Sequence, residues 1–228
     1  MPSYKTDSEP LWAVTCYYNP LGYSSRLRNY HIFRQQLRVP LVTVEWSCDG
    51  RTDLSPGDAD ILIQLESPDI LWQKERLLNI AVEAVPPDCG KIAWLDCDLV
   101  FEDDGWAEKT AGLLETFPLV QPFSNLYEMP EHESQAPLRP EGAYTTVRGI
   151  MAAFSTGAVG PEVLSGNIRL KPGCASGGAW AASRSALETG GKFYDACILG
   201  SGNRAMFCAA VNRFDDAINY LQMQEPWA

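Results

Sequence analysis

The sequence predicts a single α/β domain built on an open, mixed sheet flanked by helices, and three observations predict it. Short apolar, β-branched runs alternate with longer segments whose apolar residues recur at helical spacing. The first half of the chain follows the order β, α, β, β, α, β, α, which suits a sheet with helices on its faces and an N-terminal nucleotide-binding half. At 228 residues and 46% hydrophobic content, the chain can bury one substantial core.

The first strand is "LWAVTCYY" (11 to 18), aromatic and β-branched, ended by the turn-forming "NPLGY". "RLRNYHIFRQQL" (26 to 37) sets Leu27, Tyr30, Phe33 and Leu37 on one helical face, and "LVTVEW" (41 to 46) and "DILIQLE" (60 to 66) return to strand patterning. "SPDILWQKERLLNIAVEAVPPDCG" reads as a helix capped by Ser67, with Pro68 in its first turn and Pro86-Pro87 as its stop. Its apolar stripe is Leu71, Leu78, Ala81, Val82 and Val85. Lys74 falls on that stripe, so its ammonium either points into the protein or snorkels outward on its stem.

"KIAWLDCDLVF" is the next strand, and "GWAEKTAGLLETF" (105 to 117) a helix with Trp106, Leu113, Leu114 and Phe117 along one side. After a short strand, "LVQPF", the pattern fails. Residues 124 to 176 are rich in Pro, Gly, Ser and Glu, and only "AYTTVRGIMAAFS" (143 to 155) suggests extended structure. "GGAWAASRSALETGG" and "GSGNRAMFCAAV" each read as a Gly-rich turn running into a helix.

A net charge of −11 speaks against a nucleic-acid face, which needs clustered Lys and Arg to neutralise phosphates. An anionic ligand would then need a local remedy, such as a bound cation. Seven scattered cysteines lack zinc-site spacing and disulfide-scaffold density, so reduced thiols in a cytoplasmic setting are expected. No run is long and apolar enough for a transmembrane anchor, and Met1 to Pro10 is polar, unlike a secretory signal.

Five carboxylates fall between Asp96 and Asp104. Residues two apart on a strand share a face, so Asp96 and Asp98 project together, with Cys97 directed the other way. Such a pair of hard oxygen donors at the carboxyl end of a strand suits Mg2+ or Mn2+ that also holds a ligand's phosphates. Glu102, Asp103 and Asp104 precede a helix, where negative charge is favoured in its own right.

Taken in order, "AVTCYYNP", "LWQKERLLNIAVEAVP", "IAWLDCDLVF" and "GGAWAASRSALETGGKFYDACILGSGNRAM" resemble the glycosyltransferases of the GT-A fold, including small viral and bacterial members of the chlorovirus type. The resemblance covers most of the chain. It implies a nucleotide-sugar donor, a UDP-sugar by preference, a glycan or other hydroxyl acceptor, and Mn2+ or Mg2+ at a D-x-D motif. By it, residues 11–123 form the donor half and 124–228 the acceptor half of one domain. Asp98 is then a direct metal ligand, and Asp96 contacts ribose or shares the metal. Thr15, Tyr17, Tyr18 and Asn19 hold base and ribose, although Tyr17 and Tyr18 fit buried packing equally. Lys74, Asn79 and Cys97 face the donor.

By the same resemblance, Gly177, Gly178, Ala179 and Trp180 pass beneath the transferred sugar and the acceptor. The alternatives are a tight turn for the glycines and a core position for Trp180. Gly202 and Asn203 match a segment in which the family opens a helix with a catalytic acid. Asn203 cannot take a proton, so three outcomes stay open: Asp195 or another acid acts as base, the reaction retains configuration, or turnover is weak or absent. Asn203 also makes a good N-cap, and Asp195 could cap a helix too. A late His often completes the family's metal shell, but only His31 and His132 are present, His31 within a helix.

Two other readings remain. "LDCDLVF" and "FDD" (214 to 216) resemble, locally, the acidic motifs of haloacid-dehalogenase-type phosphohydrolases. A nucleotide-sugar-binding module that has lost turnover would also accommodate Asn203.

Overall fold

A computed structural model describes residues 11–130, 140–160, 174–196 and 202–223. In chain order the elements are β1 (Leu11–Tyr18), α1 (Ser24–Gln36), β2 (Leu41–Ser47), β3 (Ile61–Glu66), α2 (Lys74–Ala84), β4 (Lys91–Leu95) and α3 (Trp106–Leu113). They continue with β5 (Leu119–Val120), β6 (Asn125–Glu128), β7 (Thr145–Gly149), α4 (Ile150–Ser155), β8 (Cys174–Ala175), β9 (Ala179–Ser183), α5 (Arg184–Thr189), α6 (Gly202–Ala210) and α7 (Phe214–Leu221).

The expected α/β architecture is present as a six-stranded mixed sheet of order β3-β2-β1-β4-β9-β5. β1 to β4 run parallel, whereas β9 is antiparallel to both β4 and β5. A smaller sheet pairs β6, β7 and β8. Both faces of the main sheet are covered, so β1 is buried almost throughout, as parallel strands usually are. Val14 and Cys16 face a layer containing Leu77, Leu78 and Phe207, while Leu11, Ala13 and Tyr17 face Tyr30, Phe33 and Trp106. The period-2 alternation of a strand thus sends alternate residues into two cores.

Four elements depart from the sequence reading. α2 begins at Lys74, seven residues after the expected Ser67 cap. The intervening chain is held by tertiary bonds instead: Tyr18 Oη donates to the Ile70 carbonyl at 2.6 Å and Trp46 Nε1 to that of Asp69 at 3.2 Å. Leu71 is therefore exposed, and Leu77 replaces it on the buried stripe. In α3 the buried face is Trp106, Ala107, Thr110 and Ala111, followed by Leu114, while Leu113 and Phe117 face solvent. Residues 150–155 form α4 rather than continuing the extended run.

The fourth departure is β9, which replaces the expected turn before a helix. Small residues, Ala179, Ala181 and Ala182, let this strand fit between β4 and β5 with both faces buried. It brings the second half of the sequence into the sheet of the first.

Candidate functional site

The carboxyl ends of β1 and β4 meet the first turn of α1 and the segment preceding α2 around a cleft of about 400 Å³. Its lining includes Tyr23, Arg26, Trp72, Lys74, Asp96 and Asp98. Helical crossovers on either side of a parallel sheet leave such a crevice open beyond its strand ends. β4 itself ends at Leu95, so Asp96 and Asp98 reach the cleft through a turn rather than as alternate residues of a strand. That turn is anchored where Asp96 N donates to the Gly178 carbonyl at 2.7 Å, one residue before β9 begins.

Lys74 points inward and pairs with Asp96 Oδ1, so the snorkelling alternative does not hold. Burial alone would lower the Lys74 pKa, but the carboxylate of Asp96, aided by Cys16, outweighs it and holds the ammonium above its ordinary range. Asp98 behaves in the opposite sense. Its side chain is open to solvent on one side yet set within the cleft, and loss of hydration, then repulsion from Asp96, raises its carboxyl above the usual aspartate range. Arg26 and Lys74 oppose that rise. Arg26 is fixed by donating from Nη1 to the Tyr18 carbonyl at 2.7 Å. Cys97 also lines the cleft, with its thiol pushed up to about 12 by burial and then by Asp98 and Asp96, so it stays protonated.

Mg2+ and Mn2+ accept one or two carboxylates and complete their shell with water and phosphate oxygens. Asp96 and Asp98 fit that requirement in donor type and number, and their mutual repulsion is the signature of a site that gains from a cation. With Asp96 Oδ1 engaged by Lys74, Asp98 is the carboxylate available to a metal. No group of three or more His, Cys, Asp or Glu that could hold a metal occurs among the described residues. His31 lies on α1 beside Asp58 at 3.4 Å, and His132 lies outside the described residues.

The residues expected to hold base and ribose are otherwise occupied. Thr15 is buried and donates to the Leu95 carbonyl at 2.7 Å, tying β1 to β4. Tyr17 is buried against Tyr30 with its hydroxyl on Asp53 at 2.8 Å, so its ring is not open for stacking. Asn19 donates to the same Asp53 carboxylate at 2.6 Å. Tyr18 is buried too, but its ring stacks on Trp72 at 5.4 Å and an interplanar angle of 6°. Trp72, in the cleft wall, is thus the aromatic surface that Tyr18 supports.

A second set of residues adjoins the cleft at Asp96. A Cβ built on Gly177 would stand 2.8 Å from Asn203 Nδ2 and 3.9 Å from Asp96 Oδ2, so glycine permits this convergence. Gly178 adopts φ +92°, favouring glycine, and Ala179 opens β9 opposite Leu95. Trp180 is a core residue, 1% exposed, with Nε1 donating to the Ser176 carbonyl at 2.9 Å, so it presents no platform to a sugar. Asn203 sits within the first turn of α6 instead of at its cap, since the helix starts at Gly202.

Asn79 and Asp195 do not line the cleft. The Asn79 amide is bound to Phe193, donating to its carbonyl and accepting from its N–H at 2.9 Å each. Asp195 accepts from Arg76 at 3.3 Å. Arg26 and Trp72, which the sequence reading passed over, line the cleft, and Glu75, passed over too, packs against Gly202 at the start of α6. Trp72 and Glu75 flank Lys74 in "LWQKERLL", so an inward Lys74 was the signal that could have found them; Arg26 left none.

No protein-family model matches the chain, and no curated protein matches it by sequence. Similar solved structures include a mannosyltransferase from Pyrobaculum calidifontis in complex with GDP-Man and Mn2+, with 14% identity and a TM-score of 0.47 over 89% of this chain and 52% of that one. TarS 1–349 of S. aureus shows 11% identity and a TM-score of 0.44 over 88% and 55%. A 4-diphosphocytidyl-2C-methyl-D-erythritol synthase from Anaerococcus prevotii shows 7% identity and a TM-score of 0.38 over 89% and 85%. The chain spans about half the length of the first two. At these values none of them assigns an activity to this chain.

Proposed function

We propose that this protein is a metal-dependent glycosyltransferase that moves a sugar from a nucleotide-diphosphate donor, a UDP-sugar by preference, to a hydroxyl acceptor. The observation that carries the reading is the strand-end pair Asp96 and Asp98 in a cleft also lined by Lys74 and Arg26. Two carboxylates suit a divalent cation, and two fixed cations suit phosphate oxygens. An acidic protein with a net charge of −11 would repel a diphosphate elsewhere, which makes this local arrangement informative.

In this reading Asp98 holds Mn2+ or Mg2+, and Lys74 keeps Asp96 oriented while adding positive charge beside the diphosphate. Arg26 approaches from α1, and Trp72 offers an aromatic face to the base or sugar. The bound cation would act as a Lewis acid, stabilising negative charge on the departing nucleoside diphosphate. The phosphohydrolase alternative gains nothing from the fold. Asp215 and Asp216 open α7, where Asp216 pairs with Arg213 at 2.7 Å, and neither lines the cleft.

A panel of radiolabelled UDP- and GDP-sugars with Mn2+ tests the reading, using equilibrium binding and sugar release. Binding that requires the metal and disappears in Asp98→Ala is expected. Phosphate release from a simple phosphomonoester, without nucleotide-sugar binding, would overturn it. Binding with no sugar release at any pH would identify a module without turnover.

A further inference from the structure

Asn19, expected at the base and ribose of a donor, instead closes the turn after β1, where Gly22 takes φ +66° and its N–H donates to the Asn19 carbonyl at 3.0 Å. Its side chain holds the backbone of Tyr23 on both sides. Oδ1 accepts from Tyr23 N at 2.9 Å, and Nδ2 donates to the Tyr23 carbonyl at 3.2 Å. The other hydrogen of Nδ2 goes to Asp53 Oδ2 at 2.6 Å, so both donors of the amide are used. The Asp53 carboxylate also accepts from Tyr17 Oη on β1 at 2.8 Å, which ties this contact to the sheet. Tyr23 is the N-cap of α1, and no side-chain capping bond is made there. The Asn19 amide therefore fixes the start of α1 from outside the helix, in place of a cap.

What the start of α1 carries gives this arrangement its use. Tyr23 and Arg26 both line the cleft. Arg26 N donates to the Tyr23 carbonyl at 3.1 Å, the same oxygen that Asn19 holds, and Arg26 Nη1 donates to the carbonyl of Tyr18, the residue before Asn19, at 2.7 Å. The backbone and the guanidinium of Arg26 are thus both referred to the turn that Asn19 organises. We propose that Asn19 is a positioning residue of the donor site: held by Asp53, it sets the start of α1 so that Arg26 stands at the cleft before a donor diphosphate arrives. The inference rests on the glycosyltransferase reading and adds to it the device that presents Arg26.

The physical gain is in order already present. A free arginine loses rotamer freedom when it meets a phosphate, whereas one whose backbone and guanidinium are already bonded loses less. Arg26 is exposed at the edge of the cleft, so packing alone does not fix it. The competing explanation is that Asn19 only shapes the turn it shares with Pro20 and Gly22, since asparagine often does so.

Radiolabelled UDP- and GDP-sugars with Mn2+ give the donor affinity, and backbone amide exchange without ligand reads the start of α1, both on the full chain. Asn19→Ala is expected to speed exchange at the Tyr23 and Arg26 amides and to weaken donor binding by about 5- to 10-fold. Arg26→Met should weaken binding about tenfold, and the double variant should fall within about threefold of Arg26→Met alone, because Asn19 acts through Arg26. Asn19→Asp sets two carboxylates side by side and should weaken binding as well. Adding Asp53→Asn to it returns a donor to that contact and should restore affinity to within about threefold of the unsubstituted protein. Lower melting of Asn19→Ala with donor affinity within about twofold of the parent would mark a turn-shaping residue only and overturn the proposal. Losses from Asn19→Ala and Arg26→Met that multiply would overturn it too, since Asn19 would then touch the donor itself. Failure of the unsubstituted protein to bind any of these sugars would instead defeat the glycosyltransferase reading, and the role of Asn19 with it, whatever exchange shows.

Discussion

Two acidic regions of the same sheet behave in opposite ways. Glu45, on β2, is only 2% exposed, yet its carboxylate accepts from Asp53 N at 2.6 Å, Leu54 N at 3.3 Å and Gln64 Nε2 at 2.8 Å. It fastens the 53–54 loop to the sheet. Asp96 and Asp98, at the end of β4, instead share a solvent-facing cleft, one paired with Lys74 and the other held above its ordinary pKa. A buried acid whose lone pairs are filled by the protein is architecture. Acids held near one another at a cleft leave bonding capacity for a ligand.

Removing each acid should break this comparison in a different observable. The largest effect is expected for Glu45→Ala, which leaves two backbone N–H groups without their acceptor and the Gln64 amide with only the Leu54 carbonyl; a stability loss of about 3 kcal/mol should appear in urea unfolding. Donor affinity of the remaining folded protein should be unchanged. Asp98→Ala should do the reverse, weakening metal-dependent donor binding at least ~30-fold, about 2 kcal/mol, by titration calorimetry with little change in melting. Lys74→Met should weaken donor binding by roughly tenfold, because it removes positive charge from the cleft and releases Asp96 from its orientation.

The smallest effect concerns pH. The folded state raises the Asp98 pKa, so it binds that proton more tightly than the unfolded chain does. The resulting stability is present below the ordinary aspartate range and is lost as pH rises through the higher folded value. Asp98→Asn should therefore raise the melting temperature of the metal-free protein at neutral pH by about 1–3 °C and flatten its pH dependence above the aspartate range. Adding Mn2+ should stabilise the parent but not this variant.

Much of the fold was legible because periodicity reports burial directly. Tyr30 and Phe33 on α1 and the apolar strands β1, β2 and β4 follow their sequence patterns. Asp96 and Asp98 were legible as a pair because they follow one apolar strand, although a turn rather than strand alternation delivers them. Ser67 misled because a side chain suited to capping cannot reveal that Tyr18 and Trp46 hold the following segment out of the helix. Tyr17 and Trp180 were ambiguous for a related reason. An aromatic ring serves a core or a ligand equally, and only Asp53 and the Ser176 carbonyl show that these two are committed inside.

The sequence by itself determined the α/β class, the order of the first seven elements and the position of the acidic pair, since each depends on residues close together in the chain. Tertiary structure decided which acids share a space and which are already satisfied. Gly177 lies beside Asp96 and Gly202 beside Glu75 although each pair is far apart in sequence, and β9 and α6 make these contacts only when they pack beside β4 and α2. Proximity of that kind is a property of packing, and side-chain periodicity carries no record of it.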